Sequence, residues 1–528
     1  MHFYVELAIE YPIVGLMDSG VDCHHQHLEP WICGTANDDI AGVTDATGHS
    51  VAHGTAVASI LIYGDELADR DITGCGPLKV ESCVVNSNTK ISEKEFMVNV
   101  RDAIETHPEI SVWNLSQGIC RPIRNDTFSS LAKFLDDLQK KHNILICKSA
   151  GNIHPGEENN PIINEGADSI LSIVVGSINQ APLSDEDGIE NARSEFSRIG
   201  YGPEYIIKPD LVSYGGNTRT GVRTLCSNLN PYSRNSGTSF STPRISALAA
   251  TLGFRLGGNF DPLLVKTMLI HNADYPLCEI QDKETALKEL GFGLHDSLDN
   301  MLGNDPDEVT MYWPFDFSVK GDNYQLLDFP FPESLVSSDG YYEGEIIVTM
   351  ACDPILMESE GNEYCQTDID VLLETYTSIR AGQFNTDATS RERNEYYMNG
   401  SRNILSNDLY TKKKKMMYPG ERELIADQKK YAPVKKYHIN LSNVTKAKKE
   451  FIKNDRHWGL KLELHSRDAV TRRVDATGKD EKIRAIVAIT IKDPKHRGVV
   501  YDECIRKLDE YTFMHENIQQ RIDVQLHN

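Results

Sequence analysis

Short apolar runs separated by amphipathic stretches set the rhythm of the first 300 positions. Residues 13–17 (IVGLM) form an unbroken apolar run that predicts a buried strand, and 54–63 (GTAVASILIY) predicts a helix. The alternation continues with a strand at 80–86 (VESCVVN), a helix at 96–106, a strand at 111–115 (SVWNL), a helix at 130–142 and strands at 144–148 (ILICK) and 171–176 (LSIVVG). A strand–helix–strand rhythm of this kind predicts a parallel sheet covered by helices on both faces. A further helix is expected over 262–272.

Beyond residue 300 the period changes. Segments such as 345–350 (EIIVTM), 368–373 (DIDVLL) and, near the end, 485–492 (AIVAITIK) read as strands of an antiparallel, sandwich-like arrangement. The expected division is a first unit over 1–300, a β-rich part over 301–380, a polar lysine-rich linker or insertion over 381–430, and a β-rich part over 431–528 that could complete the same domain. At 528 residues the chain is long enough for several cores.

Charge supports this division. From Ser401 onward the chain carries 28 Lys+Arg and 18 Asp+Glu, whereas the rest carries 26 and 60, within a total of −24. An acidic body repels nucleic-acid phosphates, and the lysines of 412–415 and 446–449 have no interleaved aromatic motif, so the reading is against nucleic acid. No run of 18 apolar residues and no basic–apolar leader is visible, which predicts neither a membrane span nor a signal peptide. Eleven cysteines without short paired spacing fit reduced thiols in a cytoplasm.

Polar residues in three places break the apolar pattern. Asp18 closes the first strand in VGLMDSGVD, where a carboxylate needs a partner. His53 opens the first main helix in AHGT. Ser239 lies in NSGTSFSTPRIS, where hydroxyls crowd against Pro243 ahead of an apolar run at 245–252. Here one reading is a helix start, with Ser or Thr as N-cap and proline in the first turn; the other is a nucleophile. Ends of strands in such sheets are where sites form.

In order, DSGVD, AHGT and GTSFSTP resemble the subtilase family of serine peptidases, whose triad runs Asp, His, Ser along the chain. NLSQG (114–118), KSAGN (148–152) and KPDLVSYGG (208–216) extend the resemblance, which covers 13–300. It implies an α/β, three-layer subtilisin-like fold with a mostly parallel sheet, followed by the β-rich region. It implies Asp18, His53 and Ser239 as catalytic residues and Asn152 as oxyanion-hole donor, aided by the Ser239 backbone N–H. Leu115, Ser116, Gly118 and Gly151 would bind substrate. No cofactor is implied.

Two departures matter. HHQHL stands where secreted relatives place a calcium-binding carboxylate, so that site is not expected; the histidines His24, His25 and His27 could instead be surface residues or transition-metal ligands. Only 17 residues precede Asp18, which leaves an enzyme restrained by something other than a long pro-segment, or a shortened N-terminus. The pieces YYEGEIIVTMACDP, NEYCQTDIDVLLETY and AIVAITIKDPKHRGVVYDE are similar to C-terminal parts of intracellular bacterial subtilases encoded beside an AAA ATPase in defence or toxin–antitoxin modules. That resemblance implies an AAA ATPase partner. A catalytically silent scaffold and a narrow leader-peptide processing peptidase stand as alternatives.

Overall fold

A computed structural model describes residues 10–33, 51–86, 91–124, 126–183, 187–227, 230–275, 283–303, 305–320, 323–381, 396–405 and 431–510. Most of the lysine-rich stretch expected as a linker, with its 412–415 run, lies outside them. The described residues form two compact units, one lying within Met1–Leu302 together with Glu358–Tyr364, the other within Gly303–Met357 and Cys365–Asn517.

The first unit is organised by seven strands: β1 (Ile13–Asp18), β2 (Ile32–Cys33), β3 (Lys79–Val84), β4 (Val112–Leu115), β5 (Leu145–Ser149), β6 (Ile173–Ile178) and β7 (Leu211–Tyr214). They lie in the order β2-β3-β1-β4-β5-β6-β7, and every pairing is parallel. The chain therefore returns by crossovers, three of which carry α1 (Ala52–Leu67), α2 (Glu93–Thr106) and α3 (Ser130–His142); α4 (Thr238–Leu256) follows the last strand.

Local chemistry explains these elements. Ser92 and Glu95 form a reciprocal capping box that starts α2. Ser129 caps α3, and Asn143 ends it in the left-handed conformation. On one face of the sheet, Met17, Trp113, Leu115 and Ile146 pack with Phe96 and Val100 of α2 and Leu131 and Leu135 of α3. Trp113 crosses β1 where Gly15 has no side chain; a Cβ there would sit 2.2 Å from the ring. Burying residues of this size stabilises by roughly 1.5–3 kcal/mol each.

The second unit holds two antiparallel four-stranded sheets. One runs Glu308–Ser318, Lys482–Lys492, Glu345–Asp353, Val434–Asn440; the other runs Asn323–Leu326, His457–Ser466, Thr367–Tyr376, Arg402–Asn403. The period-2 burial of Glu308–Ser318 is the pattern of a strand buried on one face. No helix of the described residues is long and apolar enough to cross a membrane. The described cysteines are all unbridged.

Candidate active site

The carboxyl end of the parallel sheet gathers the polar residues that interrupt its strands. Asp18, the last residue of β1, is fully buried. Its Oδ1 accepts from the Ser19 N–H at 2.7 Å and pairs with His53 Nδ1 at 2.8 Å. Among the described residues its Oδ2 is buried without a partner.

His53 stands in the first turn of α1, and a glycine brings it there. A Cβ on Gly54 would lie 2.1 Å from the Gly20 carbonyl, so only a bare backbone lets α1 close on the turn that follows Asp18. Burial pulls the imidazole pKa down, but the Asp18 charge and hydrogen bond outweigh it and leave it above the ordinary 6.5. With Nδ1–H donated to Asp18, Nε2 is the basic atom.

Gln117 joins this pair. Its Nε2 is 3.2 Å from Asp18 Oδ1 and 3.1 Å from His53 Nδ1, while Asn86 Nδ2 donates to its Oε1 at 3.2 Å. The amide group is thus oriented with N–H toward the carboxylate. Sequence reasoning passed over Gln117, because only the tertiary fold brings the 117 position back over β1.

Ser239 is the second residue of α4 and is 9% exposed. The start of this helix differs from the expected cap. Gly237 occupies the cap position with no side-chain cap of its own, and Pro243 is the sixth residue, inside the helix rather than in its first turn. The helix begins seven residues before the apolar run because its early hydroxyls are satisfied within it: Ser241 Oγ and Thr242 Oγ1 donate to the Thr238 carbonyl at 3.0 and 2.7 Å. The cap comes from elsewhere, since Asn152 Oδ1 accepts from Thr238 N at 2.9 Å and Thr238 Oγ1 at 3.0 Å.

Proline at 243 removes the N–H that would have met the Ser239 carbonyl. Ser116 Oγ donates to that carbonyl instead, at 3.1 Å. Ser239 Oγ in turn donates to the Ser116 carbonyl, at 3.1 Å. The hydroxyl is directed at Ser116, and no hydrogen bond joins it to His53; the neighbouring Phe240 ring packs on the His53 ring at 5.5 Å between centroids. Asn114, buried on β4, holds Ser116 Oγ at 3.0 Å and accepts from Ser246 Oγ at 3.0 Å. The end of β4 and the start of α4 are thereby tied together around one serine.

Because Oδ1 of Asn152 is held by Thr238, its Nδ2 is left as a donor beside Gly237, where an added Cβ would lie 3.1 Å away. Gly237 and Gly151 both have positive φ. Neither Asn152 Nδ2 nor the Ser239 N–H donates to a protein group among the described residues. Leu115 and Ser116 are buried, and Gly118 and Gly151 are partly exposed.

The histidine-rich turn makes no such constellation. His25 is buried and its Nδ1 accepts from the His27 N–H at 3.3 Å, while the Tyr63 hydroxyl donates to the His27 carbonyl at 2.7 Å. Among the described residues no three His, Cys, Asp or Glu side chains are grouped to hold a metal.

Residues 10–297 match the model of the Subtilase family, Peptidase_S8. Protein y4bN of Sinorhizobium fredii is 31% identical over 283 residues, 44% of this chain and 64% of that protein, so the match spans less than two thirds of the relative. Among solved structures, the prenylagaramide maturation protease PagA is 22% identical with a TM-score of 0.39, covering 54% of this chain and 90% of that one. The epidermin leader peptide processing serine protease of Staphylococcus aureus is 16% identical with a TM-score of 0.39, covering 54% and 75%.

Proposed function

The chain belongs to the subtilase family, and from that premise we propose that it is a serine endopeptidase using Asp18, His53 and Ser239. The observation that carries this reading is the convergence of the Asp18–His53 pair and the Asn152-capped start of α4 at one end of the sheet. A scaffold has no use for a base held at 2.8 Å by a buried carboxylate.

An alcohol is a poor nucleophile until a base takes its proton. As a nucleophile, the Ser239 hydroxyl would leave the Ser116 carbonyl it now meets at 3.1 Å and turn to Nε2 of His53. His53 removes the proton as Oγ attacks the substrate carbonyl, and Asp18 stabilises the resulting imidazolium. Negative charge develops on the carbonyl oxygen, for which Asn152 Nδ2 and the Ser239 N–H are the donors of this reading, at the positive end of α4. His53 then protonates the leaving amine, and water releases the acyl-enzyme by the reverse sequence. Leu115, Ser116, Gly118 and Gly151 supply the walls and backbone groups that hold the peptide.

The same reading places the protein in a bacterial cytoplasm, with activity governed by an AAA ATPase partner in a defence module; the unbridged cysteines and the C-terminal pieces quoted above support it. The test is hydrolysis of an unstructured protein and of a peptide library by the full chain, alone and with an ATPase encoded beside it. Cleavage by the wild type that Ser239→Ala abolishes supports the enzyme; no cleavage in either condition would overturn it. The breadth of the library profile separates a general peptidase from a leader-processing one.

A further inference from the structure

Four lysines are buried among the described residues, and three of them have a carboxylate. Lys208 Nζ is 2.6 Å from Asp210, Lys266 Nζ is 3.9 Å from the same acid and donates to three carbonyls, and Lys435 Nζ is 2.8 and 2.6 Å from Asp368 and Asp370. Lys148, next to the last residue of β5 and 2% exposed, has none. Its Nζ donates only to Ser149, to the carbonyl at 3.0 Å and to Oγ at 3.1 Å. An ammonium carries three N–H groups, so one is unused. Asp168, the acid whose field reaches it, forms no ion pair with it and is engaged by the Ser129 N–H and hydroxyl and by the Gly166 N–H. Burial pushes the ammonium pKa down to about 8. A buried charge without a counter-charge is costly, and a fold that keeps one needs a reason.

The position of the amine supplies the reason. From Ser239 Oγ, contacts of 3.1 Å to the Ser116 carbonyl, 3.3 Å on to Ser149 Oγ and 3.1 Å on to Lys148 Nζ connect the hydroxyl to it. It also rests against the bare backbone of partly exposed Gly118, where a Cβ would lie 3.0 Å from Nζ. Any side chain at 118 would cover the amine. With glycine there, only backbone stands at that position, three contacts from the hydroxyl of Ser239.

We propose that Lys148 is the specificity-determining residue of this site, its ammonium pairing with the acidic side chain of the substrate residue that contributes the attacked carbonyl. The inference rests on the serine-peptidase reading. An aspartate or glutamate at that position supplies the missing counter-charge. An apolar residue leaves the ammonium unpaired, and a lysine or arginine meets a like charge, so discrimination of at least about a hundredfold is expected from so dry a pairing.

The test is kcat/KM on peptides that differ only at that residue, for the wild type and Lys148→Met, with fluorophosphonate labelling of Ser239 followed in parallel. Expected is cleavage after Glu or Asp at least about a hundredfold above cleavage after Leu, lost in Lys148→Met while labelling persists. A labelled wild type that prefers apolar or basic residues overturns the proposal, as does a Lys148→Met enzyme that keeps the acidic preference. If the variant fails to fold, the wild-type profile decides alone. A wild type that neither labels nor cleaves overturns the peptidase reading itself, and this inference with it.

Discussion

Asn152 combines an observed task with a proposed one, and substitution can pull them apart. Its Oδ1 accepts from Thr238 N and Thr238 Oγ1, capping α4, while its Nδ2 is the donor we propose for the oxyanion. Asn152→Ala removes both. Two hydrogen bonds at about 0.5–1.5 kcal/mol each, one to a helix-terminal N–H, give a loss of about 1–3 kcal/mol. At roughly 2–4 °C per kcal/mol for a unit of this size, the melting temperature should fall by several degrees. Asn152→Asp keeps both acceptors, and a carboxylate at a helix N-terminus is favourable. It should melt within a degree or two of the wild type, or above it. Yet it has lost the donor, so kcat should fall by about 10²–10³ in both variants, the loss usual for one oxyanion donor. The assay pairs thermal unfolding with steady-state hydrolysis of one peptide ester. An aspartate variant with kcat within threefold of the wild type would refute the donor role. One that melts as low as the alanine variant would refute the cap.

Three further outcomes follow from the neighbouring geometry. His53 must be neutral to act as base, and its pKa is raised, so kcat/KM should climb with pH through a midpoint above 6.5 and be lost below it. Gln117→Leu removes an N–H from Asp18 Oδ1 and from beside His53 Nδ1; both changes favour the imidazolium, so NMR titration of His53 should show its midpoint move up by about 0.5–1 unit, and an unmoved midpoint would count against the contact. Gly54→Ala drives a Cβ to 2.1 Å from the Gly20 carbonyl, so α1 must retreat; a loss of at least about 1–3 kcal/mol in denaturant unfolding is expected, with slower fluorophosphonate labelling, and wild-type stability would show that the approach is not needed.

The parallel first unit was legible because each of its strands is a short apolar run with a helical stretch between, and Ser130–His142 falls where the pattern alone put it. The antiparallel character after residue 300 was legible in the alternation of residues such as 345–350. Asp18, His53 and Ser239 stood out as polar residues at element ends, in a recognisable order. What stayed hidden was tertiary. The cap of α4 is 86 residues away in sequence, at Asn152, so a local search for Ser or Thr could not find it. Pro243 looked like a first-turn residue because the helix ahead of it is polar, and that polarity is tolerated only where Thr238, Ser241 and Thr242 bond within the turn. Gln117 and Lys148 drew no notice, since an amide or a lysine in a motif carries no sign of what faces it. Their significance is a distance, or a missing partner, and both exist only in the fold.

The central claim is that Ser239 is a nucleophile activated by His53. It is tested most directly by treating the full-length protein with a fluorophosphonate and locating the adduct by peptide mass spectrometry. The account predicts one adduct, on Ser239 rather than on Ser241 or Thr238, absent in Ser239→Ala and strongly slowed in His53→Ala. An adduct on another residue, or labelling of Ser239 at the same rate without His53, would contradict it.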